Sequence, residues 1–198
     1  MFLSKHDSIA WAKNFLADLD GFMILDFETT GLPHDGIYPQ PVSIAIIKVA
    51  PNISIDGYKI MLNQQLKPTC EIEIGASNVH GLTAELLADK PRFRDIYPDV
   101  VKLLHKEKLV IYNAAFDSPV LDSACDAFNL PYIKPLSVSC AMLSYSAFNG
   151  ERHPKYKNYI WHKLTKAASY HGIAIDGAHD AAVDTILTYK LIQVIAKG

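Results

Sequence analysis

Residues 22–27 constrain the fold of this 198-residue chain more than any other segment. They read Phe-Met-Ile-Leu-Asp-Phe, and turn-forming Gly and Pro residues follow shortly afterwards. A nearly continuous apolar run that ends at a turn is typical of a strand covered on both faces of a sheet. Asp26 and Glu28 stand two residues apart, so their carboxylates project from the same side of that strand. The sequence therefore predicts a buried central strand that ends in two neighbouring carboxylates.

The apolar periodicity of the remaining chain predicts an alternation of strands and helices. Two strands follow the first by short connections, which favours antiparallel pairing. Predicted strands cover residues 22–27, 42–47, 58–66, 109–112 and 136–140, and predicted helices cover 7–19, 91–106, 116–128 and 180–195. Asp7 or Ser8 is the expected N-cap of the first helix. This order predicts an α/β architecture, a mixed five-stranded sheet with helices on both faces.

Composition limits the classes of protein to which the chain can belong. Apolar residues make up 49% of the chain and charged residues 20%, which is typical of a globular protein rather than a disordered one. Apolar stretches such as residues 42–47 are far shorter than a membrane span, and the N-terminus lacks the pattern of a secretory signal. We therefore expect one domain over residues 1–198, with its core at 22–196, in the cytoplasm and without membrane association.

The cysteines and the charge pattern narrow the chemistry further. Cys70, Cys125 and Cys140 form no Cys-x-x-Cys pair, which indicates free, mostly buried thiols in a reducing compartment and excludes a cysteine-based zinc site. The first 75 residues carry nine acids against five lysines, whereas residues 76–175 carry twelve Lys and Arg against nine acids. An acidic focus beside a mildly basic region suits a metal site that acts on a phosphate chain.

Carboxylates in two early segments are candidates for that metal site. Asp26 and Glu28 repel each other unless a cation lies between them, and hard ions such as Mg²⁺ or Mn²⁺ prefer oxygen ligands. An isolated Asp-x-Glu pair is a weak signal that also fits a solvated strand end. Asp117 falls in the first turn of the helix after strand 109–112. A favourable interaction with the helix dipole explains an acid at that position equally well.

Two His-x4-Asp pairs compete for the third place in the site: His171 with Asp176, and His179 with Asp184. His171 closes a helix, and the alternating isoleucines after it indicate a buried extended segment. His179 lies in a loop and Asp184 one turn inside the apolar C-terminal helix, an arrangement suited to proton transfer. Asp180 is the expected N-cap of that helix. The sequence therefore favours His179 and Asp184.

Three segments, in this order, resemble the three motifs of the DnaQ-like DEDDh 3′–5′ exonucleases. They are Asp26-Phe27-Glu28-Thr29-Thr30-Gly31, Asn113-Ala114-Ala115-Phe116-Asp117 and His179-Asp180-Ala181-Ala182-Val183-Asp184. The segment Asn78-Val79-His80-Gly81-Leu82-Thr83 resembles one that these proteins carry between the first and second motifs. Many members have His-Asn where this chain has Tyr112-Asn113, a position that is supportive rather than catalytic. The likeness spans roughly residues 22–195.

The resemblance implies a ribonuclease H-like fold and a metal-dependent nuclease. Asp26, Glu28, Asp117 and Asp184 would hold two divalent metal ions, Mg²⁺ or Mn²⁺, and His179 would take the proton from the attacking water. The substrate would be a single-stranded or frayed 3′ end, of DNA rather than RNA, and the product a nucleoside 5′-monophosphate. An RNA-directed 3′–5′ exonuclease, oligoribonuclease-like or tRNA-trimming, shares every catalytic residue. A nucleic-acid-binding module without catalysis is a second alternative, which the intact set of five residues disfavours.

The resemblance also assigns residues to substrate binding: Thr29, Leu32, His80, Leu82, Asn113 and Phe116. The first two would border the terminal nucleotide on one side, the next two on the other, and the phenyl ring would stack on a base. Core packing explains the two leucines and the phenylalanine equally well, and His80 would fit a hydrogen-bonded structural histidine.

Residues 152–163 interleave cations with aromatic residues, as the sequences of single-strand binders do. The segment reads Arg-His-Pro-Lys-Tyr-Lys-Asn-Tyr-Ile-Trp-His-Lys. A solvated loop in which Trp161 anchors the next helix explains the pattern at least as well. The sequence alone does not decide between a binding segment and a helix anchor.

Overall fold

A computed structural model describes residues 3–198, in which five strands form one sheet in the order β3-β2-β1-β4-β5. The strands are β1 (Phe22–Thr29), β2 (Pro41–Val49), β3 (Tyr58–Gln65), β4 (Lys108–Ile111) and β5 (Ser137–Cys140). β1 pairs antiparallel with β2, and β2 with β3. β1 pairs parallel with β4, and β4 with β5. The sheet is mixed and β1 is its central strand, as predicted.

Helices cover both faces of the sheet. Over residues 3–198 they are α1 (Lys5–Ala17), α2 (Ile74–His80), α3 (Phe93–Leu104), α4 (Ala114–Asp126), α5 (Ala141–Asn149), α6 (Leu164–Tyr170) and α7 (Ala181–Lys197). One apolar cluster lies between the sheet and α1, α5, α6 and α7, and a second lies between the sheet and α3 and α4. The predicted α/β architecture is therefore confirmed. None of the helices described here has the length and apolarity needed to cross a membrane.

The side chains of β1 divide between these two clusters. Phe22 and Ile24 pack on the face that α7 covers, whereas the odd-numbered apolar residues pack against α3 and α4. Since side chains alternate along a strand, Asp26 and Glu28 continue the row of Phe22 and Ile24. Both carboxylates therefore lie at the carboxyl end of the central strand, on the α7 side.

The start of α1 differs from the prediction. Ser4 is the N-cap, not Asp7 or Ser8, because its hydroxyl accepts a hydrogen bond from the Asp7 amide. The Asp7 carboxylate accepts one in return from the Ser4 amide, which completes a capping box and starts the helix earlier. The helix also ends earlier, so Leu19, predicted on its apolar face, lies beyond it and is exposed.

Two predictions about burial are wrong. Ile175 is 37% exposed, because the residues after α6 form turns and an irregular segment rather than an extended segment against the sheet. Ile173 alone packs at the edge of the core. The thiols are not mostly buried either: Cys125 is buried, Cys140 half-buried and Cys70 exposed, since the last lies in the surface segment between β3 and α2.

Helix α2 was not predicted, because it is short and none of its residues is buried, so it has no apolar periodicity. It ends at His80, and Gly81 follows with a φ of 75°, a left-handed conformation that favours glycine. This turn brings His80 back to the end of β1, where its ring contacts the Thr29 carbonyl oxygen.

Candidate active site

Four carboxylates from three elements converge at the carboxyl end of β1. Asp26 and Glu28 come from β1, Asp117 from the first turn of α4, and Asp184 from the first turn of α7. All four line one cavity. Asp117 and Asp184 are buried, whereas the two acids of β1 are partly accessible. The structure thus brings together the four acids that the sequence selected.

The starts of the two helices explain why their acids face this edge. Helix α4 begins directly after β4, which runs parallel to β1, so both strands end at the same edge of the sheet. The Asp180 carboxylate accepts hydrogen bonds from the amides of Ala182 at 3.0 Å and Val183 at 3.2 Å, as expected of the N-cap of α7. This cap fixes the first turn, from which Asp184 points into the cavity.

His179 lies in the loop just before this cap. Its φ of 70° is a left-handed conformation that is costly for a residue other than glycine. The residue is exposed, and a ring nitrogen, a Glu28 oxygen and an Asp184 oxygen all lie within 4.8 Å of one another. The strained backbone therefore holds an imidazole beside the carboxylates, accessible to water and close to any cation that these carboxylates would hold.

Burial raises the pKa of all four carboxyls. The pKa of Glu28 rises to about 8, that of Asp117 to about 7 and that of Asp184 to about 6. Burial also holds the pKa of Asp26 well above its usual range, reinforced by the charges of Asp117, Asp184 and Glu28. A cation among these buried acids would favour their charged forms and offset the repulsion that acts on Asp26 and Glu28.

The donor atoms fit a hard divalent cation. Within the described part of the chain, the Oδ1 atom of Asp184 is buried without a hydrogen-bond partner. A buried polar atom of this kind costs free energy unless a cation, a proton or water satisfies it. Carboxylate oxygens are ligands that Mg²⁺ and Mn²⁺ both prefer. The residues present therefore suit the metal ions that the sequence predicted.

Two cavities meet at Glu28 and His179, which line both. The polar cavity, of about 390 Å³, is also lined by Ser43, Asn63, Gln64, Gln65, His80, Leu82, Lys90 and Asp180. The aromatic cavity, of about 430 Å³, holds the other three acids and is walled by Phe27, Tyr112, Asn113, Phe116, Met142 and residues 161–165. The carboxylates thus lie on the boundary between two spaces of different chemistry.

Comparison with known families decides what kind of protein this is. A family model designated RNase_T and described as an exonuclease matches residues 23–192. The chain belongs to the RNase_T exonuclease family. The DnaQ-like resemblance is therefore confirmed, and the protein is a 3′–5′ exonuclease.

Several known proteins match most of this exonuclease, as two of them illustrate. It is 35% identical over 193 residues to the uncharacterized exonuclease CP81 of Escherichia phage 186, covering 94% of this chain and 93% of the phage protein. It is 35% identical over 182 residues to the DNA polymerase III subunit epsilon of Buchnera aphidicola subsp. Schizaphis graminum, covering 89% and 74%.

Solved structures share the fold of this exonuclease. Exonuclease X in complex with 5′ overhanging duplex DNA aligns with a TM-score of 0.61 at 24% identity, covering 88% of this chain and 90% of the other. A 3′-exonuclease that recognises a histone mRNA stem-loop aligns with a TM-score of 0.70 at 18% identity, covering 89% and 81%. The ribonuclease H-like fold is confirmed.

In this exonuclease, His80 ties α2 to the end of β1. Its Nδ1 atom accepts a hydrogen bond from the Leu82 amide at 3.0 Å, which assigns the proton to Nε2. The Nε2 atom lies 3.1 Å from the Thr29 carbonyl oxygen, to which it donates. Burial lowers the pKa of His80 and favours this neutral form. His80 is thus a hydrogen-bonded structural histidine that also lines the polar cavity.

The other predicted substrate residues of the exonuclease occupy different places. Leu82 lines the polar cavity, and Asn113 and Phe116 line the aromatic cavity, although Phe116 also packs against the core. Thr29 and Leu32 line neither of these two cavities. Thr29 is buried and its hydroxyl donates to a backbone carbonyl at 2.8 Å, whereas Leu32 is 73% exposed and therefore not a core residue.

Trp161 does not anchor helix α6. It is 60% exposed and lines the aromatic cavity of the exonuclease, as does Lys163. The anchors are its buried neighbours His162 and Leu164, and the Tyr112 hydroxyl donates to the His162 carbonyl oxygen at 2.6 Å. The sequence leaves open whether residues 152–163, which include Trp161 and Lys163, bind a strand, and the alternation of cations and aromatics is the signal that points to them.

The competing histidine of the exonuclease lies elsewhere. His171 follows α6, with its Nε2 atom 3.3 Å from the Tyr145 hydroxyl and its ring against those of Phe148 and Tyr170. Burial lowers its pKa. It lines neither the polar nor the aromatic cavity, and Asp176 is exposed in a turn. This geometry fits a packing role for His171.

Proposed function

We propose that this exonuclease hydrolyses single-stranded or frayed 3′ ends of DNA to nucleoside 5′-monophosphates, with two divalent cations held by its four carboxylates. The observation that carries the proposal is the convergence of Asp26, Glu28, Asp117 and Asp184 beside His179. Residues 1–198 would act as one exonuclease domain, since α1 packs against α5 and α7. Three free thiols are consistent with a cytoplasmic location of the enzyme.

Each acid has a place in the proposed site. Asp26 and Glu28 approach from the strand, and Asp117 and Asp184 approach from two helices, so the cations would be held by rigid elements. When bound, the cations would lower the pKa of a coordinated water and neutralise charge on the phosphodiester. The orphan oxygen of Asp184 and the raised pKa values of the four acids support this use.

We assign the role of general base to His179. Its exposed loop borders both cavities, so water can reach the ring, and histidine is well suited to exchange a proton near neutral pH. Its ring nitrogen also lies close enough to Glu28 and Asp184 to ligate a cation together with them. The two roles predict different results when the histidine is removed. If His179 is only a base, His179→Ala should leave the affinity for the cations nearly unchanged, whereas loss of a ligand should lower it.

The polar cavity is our candidate for the 3′-terminal nucleotide. His80 and Leu82 line it, and Thr29 and Leu32 belong to the adjoining end of β1 and the turn after it. Asn113 and Phe116 would contact the substrate from the aromatic cavity. Four of the six predicted substrate residues thus line the two cavities that meet at the carboxylates.

The preference for DNA is supported by relatives. The Buchnera relative is a DNA polymerase subunit, and exonuclease X was solved with duplex DNA. The exonuclease that recognises histone mRNA favours RNA as the second candidate substrate. Because proteins distinguish the two sugars by contacts at the 2′ position, the comparison must be made on matched sequences.

Digestion of 5′-labelled DNA and RNA oligonucleotides, side by side with Mg²⁺ or Mn²⁺, tests the proposal. We expect a descending ladder, faster on DNA, that stops in EDTA and is blocked by a 3′-phosphate. Early release of the labelled 5′ nucleotide, or of long internal fragments, contradicts attack from the 3′ end. A binding module without catalysis would retain oligonucleotide but give no ladder.

A further inference from the structure

The two cavities at Glu28 and His179 differ in a way that matters for a strand crossing the site. Hydrolysis of a 3′ end needs room for the terminal nucleotide on one side of the scissile phosphate and for the retained strand on the other. The polar cavity offers amide side chains of β3, whereas the aromatic cavity offers Trp161 and Lys163. Rings and cations are what a flexible nucleic-acid strand requires.

Trp161 is an exposed ring on a fixed backbone. Its neighbour His162 is buried, and besides the hydrogen bond from Tyr112, the His162 ring lies edge-on against Tyr145 at 5.7 Å between centroids. The side-chain amide of Asn149 lies 3.2 Å from the His162 Nε2 atom. These contacts fix the chain at residue 162 and leave the indole at the wall of the cavity. An exposed tryptophan in a fixed position loses little entropy when a base stacks on it.

Cations lie on both sides of this ring along the chain. Lys163 is exposed beside Trp161. Residues 151–160 form a small hairpin, with backbone hydrogen bonds of 2.9 Å from His153 to Asn158 and from Ile160 to Glu151. Its exposed cations are Arg152, Lys155 and Lys157, and the Arg152 guanidinium lies 4.3 Å from the Tyr159 ring centroid. The segment before Trp161 is therefore folded and positively charged.

We propose that the retained strand leaves the active site across Trp161 and Lys163. The indole stacks on a base upstream of the scissile phosphate, and the ammonium group binds a backbone phosphate. The inference rests on the proposed function and deepens it, because it names the path of the strand that is not released. Stacking of a base on an aromatic side chain is worth about 1–3 kcal/mol, or about 5- to 150-fold in affinity.

Tryptophan fluorescence tests the contact directly, because the chain has two tryptophans, Trp11 and Trp161. Trp11→Phe leaves Trp161 as the sole emitter, and Asp26→Asn in the same chain prevents hydrolysis. We expect thymidine oligonucleotides of four or more nucleotides to quench the emission, and thymidine 5′-monophosphate, which would occupy the polar cavity, to leave it unchanged. Unaltered emission at saturation, established by the anisotropy of a 5′-fluorescein label, overturns the proposal.

Kinetics on the otherwise wild-type chain supply the second readout. Trp161→Ala should raise KM for a ten-nucleotide substrate by about 5- to 150-fold with kcat within about threefold, and Trp161→Phe should restore most of the loss. Tyr170→Ala is the matched control, since Tyr170 is an exposed ring at the C-terminal end of α6 that lines a different cavity. An equal effect of the two alanine variants, or no effect of Trp161→Ala, rules out this path.

The salt dependence of oligonucleotide binding tests the proposed contact between Lys163 and a backbone phosphate. Lys163→Ala should reduce the slope of log affinity against log salt by about 0.7, as expected for one lost phosphate contact on a single strand. Lys166→Ala is the control and should leave the slope unchanged, because Lys166 lines the same third cavity as Tyr170. If the wild-type protein cleaves no oligonucleotide, the proposed function fails, and quenching of Trp161 still decides the path. If oligonucleotides are cleaved but quenching, KM and slope do not respond, the path alone fails.

Discussion

The acids and the loop residues of the active site are held in different ways. Asp26 and Glu28 extend the buried row of the central strand, and Asp117 and Asp184 occupy first turns of helices. His179, in contrast, depends on a left-handed backbone conformation in an irregular loop. Regular elements thus carry the groups that repel one another, and irregular segments carry the groups that face water and substrate.

Apart from the general base His179, this difference separates the groups that do the chemistry from those that bind the substrate. Acids on a strand and two helices keep their geometry despite mutual repulsion, so they can present a preorganised charge to cations. Exposed side chains such as those of Trp161 and Leu32 face solvent, where a substrate strand can contact them. Variants of the acids and of the general base His179 should therefore act on kcat, and variants of exposed residues that only contact the substrate, such as Trp161, should act on KM.

The largest effect is expected from the acids. Asp26→Asn should lower kcat by more than about 10³-fold, equivalent to more than about 4 kcal/mol of barrier, because it removes a ligand at the centre of the cluster. Glu28→Gln, Asp117→Asn and Asp184→Asn should behave similarly. Circular dichroism of each variant should match the wild type. Equal activity in EDTA and in Mg²⁺ would contradict any metal mechanism.

His179 should show the next largest effect. Loss of a general base costs about 10²–10⁴-fold in rate, so His179→Ala should lower kcat in that range and flatten the acid limb of the pH–rate profile. Cation affinity should stay near normal, which distinguishes a base from a ligand. His171→Ala is the control and should leave kcat within a few-fold. The reverse outcome, with the His171 variant inactive and the His179 variant active, would overturn the assignment of Asp184 as well.

The raised pKa values predict how the metal-free protein responds to pH. Folding raises the pKa of Glu28 from 4.5 to about 8, so the folded protein holds protons that the unfolded chain releases between these values. The free energy of unfolding should therefore fall as pH rises from about 4 to about 8, lowering Tm by several degrees. Thermal melts in EDTA and in excess Mg²⁺ measure this, and the cation should restore Tm at high pH. A Tm in EDTA that rises over this range contradicts the burial of Glu28 and its repulsion by the neighbouring acids.

Asp180→Asn should have the smallest effect. Asparagine caps helices about as well as aspartate, so stability should change by no more than about 1 kcal/mol. Asp180 lines only the polar cavity, and kcat should stay within a few-fold. Asp180→Ala, which removes the cap, should destabilise the protein further without abolishing turnover. Inactivity of Asp180→Asn would show that this carboxylate belongs to the metal site.

The parts of the site that sequence predicted share a local cause. Strand periodicity places Asp26 beside Glu28, and the junctions from strand or loop to helix place Asp117 and Asp184 in first turns. These relations depend on residues that are close in sequence, so they can be predicted without a structure. The central position of β1 follows for the same reason, from a run that only a doubly covered strand can bury.

The parts that sequence missed depend on contacts between distant residues. Trp161 faces the cavity because Tyr112, far away in the chain, fixes the backbone at His162. His80 is positioned by the Thr29 carbonyl, and α2 has no buried side chain to reveal its period. Ser4 was missed as a cap because the helix begins before its apolar face does.

Calorimetric titration of the metal-free protein with Mn²⁺, in the presence of thymidine 5′-monophosphate, tests most directly whether the four acids form a two-cation site. We predict two ions per chain for the wild type and for His179→Ala, and fewer for Asp26→Asn and for Asp184→Asn. A wild-type protein that binds no Mn²⁺, or acid variants that still bind two ions with unchanged affinity, would contradict it.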